Sequence, residues 1–238
     1  MNMKHSKYYI VIALILLTIF SSCKKDKTSY GSSATRPVAE FSVIDYRLPG
    51  NLIVQNGDHY QVDILTKSDL IKIKTEVTNG KLVIYADENI SNANDITYIV
   101  TTPKFQKLQV ANSGIASLKY NFDPNTNLEL EVSGSGSIEA QTPIQVEKVT
   151  GAVSGSGNIK LSGETNTLNA NVTGSGSINA FSLNTKKAKA NVSGSGNIEC
   201  NVFSSLDATI SGSGNISYKG NPGVYSTIAG SGKIVHVD

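Results

Sequence analysis

Residues 168–180 read LNANVTGSGSINA, and residues 188–200 read AKANVSGSGNIEC. Each stretch alternates apolar or small residues with polar ones, breaks at a Ser/Thr-Gly-Ser-Gly corner, and resumes the alternation on an Ile. Period two with one polar face is the signature of a half-buried strand. The same unit occurs as Val132-SGSG-Ser137-Ile138, Val153-SGSG-Asn158-Ile159, Val172-TGSG-Ser177-Ile178, Val192-SGSG-Asn197-Ile198, Ile210-SGSG-Asn215-Ile216 and Ile228-AGSG-Lys233-Ile234. A degenerate copy precedes them at Ser113-Gly114-Ile115-Ala116-Ser117-Leu118. Aligned on their first glycine, at 114, 134, 155, 174, 194, 212 and 230, the copies step by 20, 21, 19, 20, 18 and 18 residues.

A single strand pair cannot bury its apolar face, but stacked copies share a continuous core. The repeat therefore predicts an all-β fold, a β-solenoid of about seven glycine-cornered rungs. At about 4.8 Å per rung the stack is roughly 34 Å long. The near-constant period argues against a globular sandwich. A column of small residues (Gly151, Ala170, Ala190, Ala208, Ser226) implies a thin interior that larger side chains would overpack. Cys200 stands in a column otherwise filled by Ala and Leu, which reads as a buried, inert thiol.

The segment before the repeat, residues 41–108, is strand-like but lacks the glycine signature. Candidate strands are 41–48, 52–55, 60–66, 70–77, 82–85 and 97–100. Asn79-Gly80 is a strong two-residue hairpin signal and Asn56-Gly57 a weaker one. This part is expected to cap or begin the solenoid, because an uncovered end exposes core and strand edges.

At the other extreme, Lys4 and Lys7 precede an 11-residue stretch, Ile10 to Phe20, apolar apart from Thr18, and then Ser21-Ser22-Cys23. A basic start, a short apolar run and small residues before a cut form a secretory signal. The run is shorter than the roughly 20 apolar residues of a spanning helix. The Ser-Ser-Cys end resembles a bacterial lipobox, which implies a signal peptide over residues 1–22 and lipidation of Cys23. Residues 23–40 are poor in apolar residues and without periodicity, and read as a disordered tether. Residues 41–238 then form the folded domain, with residues 109–238 its repeat portion. Removing residues 1–22 takes two of the 21 basic residues, leaving 19 against 19 acidic ones, so the remainder is neutral. That balance argues against nucleic acid, whose phosphates need clustered cations.

Taken together, the serial SGSG-x-Ile units, VTNGKLVIYAD (77–87) and YKGNPGVYSTIAGSGKI (218–234) resemble the putative auto-transporter adhesin, head GIN domain family of Bacteroidota envelope proteins. The resemblance runs from about Phe41 to the C-terminus. It implies a right-handed parallel β-helix on a lipoprotein or secreted protein, and placement at the outer membrane of a Gram-negative bacterium. It brings no catalytic or binding residues.

Glu129 and Glu131 share the outer face of one strand, about 7 Å apart by strand rise, a spacing open to acid/base work. The equivalent positions in later rungs hold Thr150 and Ala152, then Asn169 and Asn171, so no second carboxylate row completes a site. His59 lies near Asp58 and Asp63, a thin basis for a metal. His236 falls in the Cys200 column and reads as a terminal cap. Tyr218 and Tyr225 flank Asn221-Pro222-Gly223 and are expected to pack over the last turn. The SGSG corners lack the Lys and following helix of phosphate loops, and the Asp of calcium-binding rungs. The sequence thus predicts a non-enzymatic envelope module with no cofactor and no metal. It is held to the membrane by its N-terminal lipid, with a glycan or envelope protein as partner. The alternative is a carbohydrate-active β-helix enzyme, a polysaccharide lyase or hydrolase.

Overall fold

The computed structural model describes residues 32–67, 70–90 and 92–238, in which eighteen strands carry the chain. They are β1 (Ser32–Pro37), β2 (Val43–Tyr46), β3 (Asn51–Asn56), β4 (Gln61–Thr66), β5 (Ile73–Thr78), β6 (Lys81–Ala86), β7 (Thr97–Thr102), β8 (Lys107–Asn112) and β9 (Ile115–Lys119). The repeat contributes β10 (Asn127–Gly134), β11 (Ser137–Ala140), β12 (Ile144–Gly155), β13 (Asn158–Gly174), β14 (Ser177–Gly194), β15 (Asn197–Gly212), β16 (Asn215–Lys219), β17 (Gly223–Gly230) and β18 (Lys233–His236). The long strands β13, β14 and β15 bend around the coil. Their register breaks at Lys160/Ser162, Ala180/Asn184 and Thr185/Lys187 mark the bends.

Successive coils pair in parallel and in register. Ile138, Ile159, Ile178, Ile198, Ile216 and Ile234 form one row of direct partners. Beside it, Leu130, Gly151, Ala170, Ala190, Ala208 and Ser226 form the narrow column. Val132, Val153, Val172, Val192 and Ile210 are all buried beside the glycine corner, and each such side chain contributes about 1.5–3 kcal/mol of apolar burial. The stack is a β-solenoid of about six turns. Seven repeat copies predicted about seven rungs, so the count differs slightly while the all-β solenoid fold matches.

The corner shows why glycine recurs. Gly174 has φ +114°, and a Cβ there would stand 2.6 Å from the carbonyl oxygen of Gly155 in the coil below. That oxygen accepts two hydrogen bonds, from the amides of Ser175 and Gly176, each 2.9 Å long. The carbonyl oxygen of Gly174 in turn accepts from Ser195 and Gly196, both at 2.9 Å. Backbone packs on backbone at each corner, and no side chain fits between.

Register also corrects the reading of the degenerate copy. Asn112, not Gly114, pairs with Gly134, and Ala116, not Leu118, pairs with Ile138. Asn112 takes the first-glycine position at φ 61°, in the left-handed region that Asn tolerates better than most residues. Its carbonyl oxygen accepts from Ser135 (2.8 Å) and Gly136 (2.9 Å), so the corner geometry continues unbroken.

Residues 41–108 both begin and cap the solenoid. The coil made of β2 and β3 lies between the coil of β8 and β9 on one side and that of β6 and β7 on the other. The chain thus starts in the second coil, steps back to form the end coil, then passes over both. Antiparallel strands close that end, β5 on β6, β4 on β7 and β1 on β4. Asn79 (φ 51°) and Gly80 (φ 71°) make the expected hairpin turn. Asn56-Gly57 does not form one, since β3 pairs with β7 and β9 and the Asn56 side chain instead bonds the backbone of Asn121. The tether expected over 23–40 is corrected at its end. Residues 32–37 form β1, which pairs with β4, and Arg36 donates to the carbonyls of Ile73 and Leu70. The signal peptide, Cys23 and the rest of that tether lie outside the described residues.

Two glycine substitutions separate backbone need from spare room. Gly174→Ala is expected to lower stability by about 2–4 kcal/mol, since it adds a strained conformation and a backbone clash. Gly151 has no such φ, and a Cβ there would meet Ile178 at 3.4 Å and Ile159 at 3.8 Å, ordinary packing distances. Gly151→Ala is therefore expected to raise stability by about 0.5–1 kcal/mol. Denaturant unfolding of the two variants measures both effects.

Candidate functional site

The carboxylate pair on the long outer face proves to be a structural network. Lys107, one coil away, bridges the pair at 3.1 Å from Glu129 and 2.6 Å from Glu131, and Gln109 donates to the second Glu131 oxygen at 2.6 Å. Burial works against ionising Glu131, but the hydrogen bonds from Lys107 and Gln109 outweigh it and hold its carboxyl below the usual range. A general acid needs the opposite shift.

Farther along, an amide pair continues this face and a hydroxyl–amide pair lies on the face beyond the glycine corner. Asn191 donates to Asn171 at 2.8 Å, and Ser177 to Asn158 at 2.7 Å.

Cys200 is fully buried, and burial pushes its thiol up to about 12. His236 is the register partner of Tyr218, stacks on that ring at 5.1 Å, and its Nε2 lies 2.8 Å from the Gly220 carbonyl oxygen. Tyr218 thus packs on the last coil as expected, whereas Tyr225 stands free of it, 73% exposed. The His59 ring lies 2.6 Å from Asp58, while Asp63 accepts from Thr35 and Gln61. Among the described residues, no group of three or more His, Cys, Asp or Glu is placed to hold a metal ion.

The structure brings together a site that sequence reading missed. A groove of about 500 Å³ crosses the coils on the side where residues 144–146, 163–165 and 183–185 pair, here called the short face, and is lined by Asn125, Gln145, Glu147, Glu164, Asn166, Asn184, Lys186 and Phe203 among others. Gln145, Glu164, Asn184 and Asn201 are direct register partners in successive coils, so one planar amide or carboxylate projects from each. Within the row Asn201 donates to Asn184 at 3.1 Å, and beside it Asn166 donates to Glu147 at 2.6 Å. Inward-facing Thr165 and Thr185 are buried and bond backbone carbonyls, fixing the strand beneath. Phe203 stands at one end, 57% exposed. The register breaks on this side interrupt period two, which is why alternation alone did not show the row. Its sequence trace is the recurrence of Gln, Glu and Asn about one period apart.

Comparison with known proteins places this geometry. The family model described as putative auto-transporter adhesin, head GIN domain, matches residues 40–222. The chain belongs to this family. Crystal structures of similar fold include a putative adhesin from Bacteroides fragilis (TM-score 0.74, 23% identity) and a putative lipid binding protein from Parabacteroides distasonis (TM-score 0.72, 24% identity). Another is a putative adhesin from Parabacteroides merdae (TM-score 0.73, 16% identity). Each alignment covers 87% of this chain and 96% of the other. No curated protein sequence matches the chain significantly. The family and its solved neighbours are described as adhesins and a lipid-binding protein, and none of them as an enzyme.

The buried thiol gives a direct check. At pH 8 a disulfide-exchange reagent is expected to leave Cys200 unmodified in the folded protein and to titrate it fully in denaturant. Rapid modification under native conditions would show that the column is open.

Proposed function

We propose that this chain is a non-catalytic, adhesin-like module of the cell envelope that binds glycan along the short-face groove. The observation that carries the reading is the row Gln145, Glu164 and Asn184, one planar polar group per coil and continued by Asn201, with the exposed ring of Phe203 lining the same groove. Amides and carboxylates offer the paired donors and acceptors that vicinal hydroxyls need. An aromatic ring supplies an apolar surface for the C–H face of a sugar, while hydroxyls stay wet. The coil spacing of about 4.8 Å repeats these groups along the groove, as suits a polymer.

Membership in a family of adhesins supports an envelope or cell-surface setting. In this reading the chain is anchored through lipid on Cys23, at the outer membrane of a Gram-negative bacterium. One acyl chain binds a membrane only marginally, whereas two or more hold it stably. The Parabacteroides distasonis neighbour is described as lipid binding. In this chain the interior is filled by its own Ile, Val and Ala columns, so an acyl ligand would have to displace packed core. The polar groove favours sugar instead.

Glycan-array binding by the detergent-solubilised chain, with turnover assayed on each hit, tests the proposal. Phe203→Ala is expected to weaken binding by about 3–10-fold, the loss of one stacking contact, while Glu131→Gln leaves it unchanged. Turnover that disappears with Glu131→Gln would make the chain an enzyme, and binding only to envelope proteins would replace the sugar. Palmitate labelling is expected in the wild type and absent in Cys23→Ala.

A further inference from the structure

The two ends of the coil stack differ in a way the proposed binding role does not use. At the end made by β6 and β7, every edge is covered by antiparallel strands, and the outer ones carry Arg36 and Pro37 on β1 and Lys74 and Glu76 on β5. Charge and proline on an edge discourage further pairing. At the opposite end, among the described residues, β17 pairs only with β15, and β18 only with β16. The terminal coil repeats the interior pattern but leaves it uncovered. Leu206 and Ile210 are fully buried, while their register partners Val224 and Ile228 are 38% and 46% exposed. β17 reads GVYSTIAG, with no charge and no proline, and is in continuous register with β15 over all its residues. It is an uncharged, unguarded edge.

We infer that this edge is an interface, and that its occupant is a second copy of the same chain, joined end to end through β17. The first argument is topological. A head-to-tail copy would need the far end of the stack, which β1, β4 and β5 cover, so only like ends can meet. Such a contact is isologous and closes at two.

The second argument is register. Antiparallel pairing of β17 with itself about Ser226 sets Val224 opposite Ile228 of the second copy, and Tyr225 opposite Thr227. Apolar then faces apolar on the inner side at both positions. Shifting one strand by one residue would set inward-facing positions of one copy opposite outward-facing positions of the other.

Charge is the third. Between Gly223 and Asp238 the charged side chains are Lys233 and Asp238, of opposite sign, and neither lies on β17. No like charges meet at the centre of the contact.

Area sets the strength. An eight-residue strand about 27 Å long over a layer about 10 Å deep covers roughly 540 Å² across both copies, well below the roughly 1,600 Å² of a typical stable complex, which makes the contact a weak one. Backbone hydrogen bonds along the shared edge add affinity, as in strand addition. The dimer is therefore reversible. It carries two grooves, so glycan on an extended surface would be bound with avidity.

Sedimentation of the chain carrying Cys23→Ala, from about 1 to 200 μM, tests the inference. A concentration-dependent monomer–dimer equilibrium is expected. Val224→Lys with Ile228→Lys is expected to weaken it at least tenfold and to leave the circular dichroism spectrum unchanged, since both side chains are exposed. A register readout keeps the test independent of folding. Ser226→Cys places two thiols opposite each other at a Cα separation of about 4.5–5.5 Å, so mild oxidation gives a covalent dimer. Tyr225→Cys, on the same strand but away from the two-fold, does not. A chain that stays monomeric at 200 μM, forms open-ended filaments, or crosslinks equally through both cysteines would overturn the proposal.

Discussion

The contact on which this structure depends is the approach of one coil's backbone carbonyl to the glycine of the next. At the Asn112, Gly155, Gly174, Gly194 and Gly212 corners a carbonyl oxygen accepts two amides from the next coil, and at Gly134 it accepts that of Ser156; the space it occupies is the space a Cβ would take. Corners can stack only where a side chain is missing, or where Asn112 accepts a left-handed backbone. Once they stack, the strands on either side are fixed in register, and with them every inward column. The Ile row and the Val column follow from that alignment and supply the apolar energy. The glycines contribute little energy of their own; they determine which residues meet.

That division explains how much the sequence disclosed. The corner units lie one turn apart, so their period announced the stacking, and Ile138 through Ile234 could be placed in one row before any coordinates. Asn79-Gly80 was legible for a similar reason, because its turn geometry is local. The degenerate copy was misaligned by two residues because glycine identity was followed, whereas the backbone position is what recurs, and Asn112 fills it. The order of the first coils was not legible at all. Nothing local tells β2 to settle between β6 and β8; only the packed end, with Tyr46 against Tyr98 at 5.4 Å, selects it. β1 was hidden because its residues are polar, and its partners are backbone groups on β4 and the carbonyls that Arg36 reaches.

The candidate site was the least legible feature. The face that attracted attention first, with Glu129 and Glu131, is tied up by Lys107 and Gln109 in a network that holds the carboxylate ionised. The groove arises on the side where the coil bends and strict alternation fails. Its chemistry is that of repeated amides and carboxylates held by one another, open to solvent, with an aromatic ring at one end. Such an arrangement suits recognition of a repeating polar ligand, and a solenoid supplies the repeat without further design.

Amide hydrogen exchange at the corners tests the central claim most directly. Ser175, Ser195 and Ser213 lie on exposed Gly-Ser turns, where a loose loop would exchange at nearly the rate of an unstructured peptide. The stacked-corner account predicts that their amides, bonded to Gly155, Gly174 and Gly194, exchange as slowly as those of the neighbouring strands. Rapid exchange at those three residues, with the strands still protected, would contradict it.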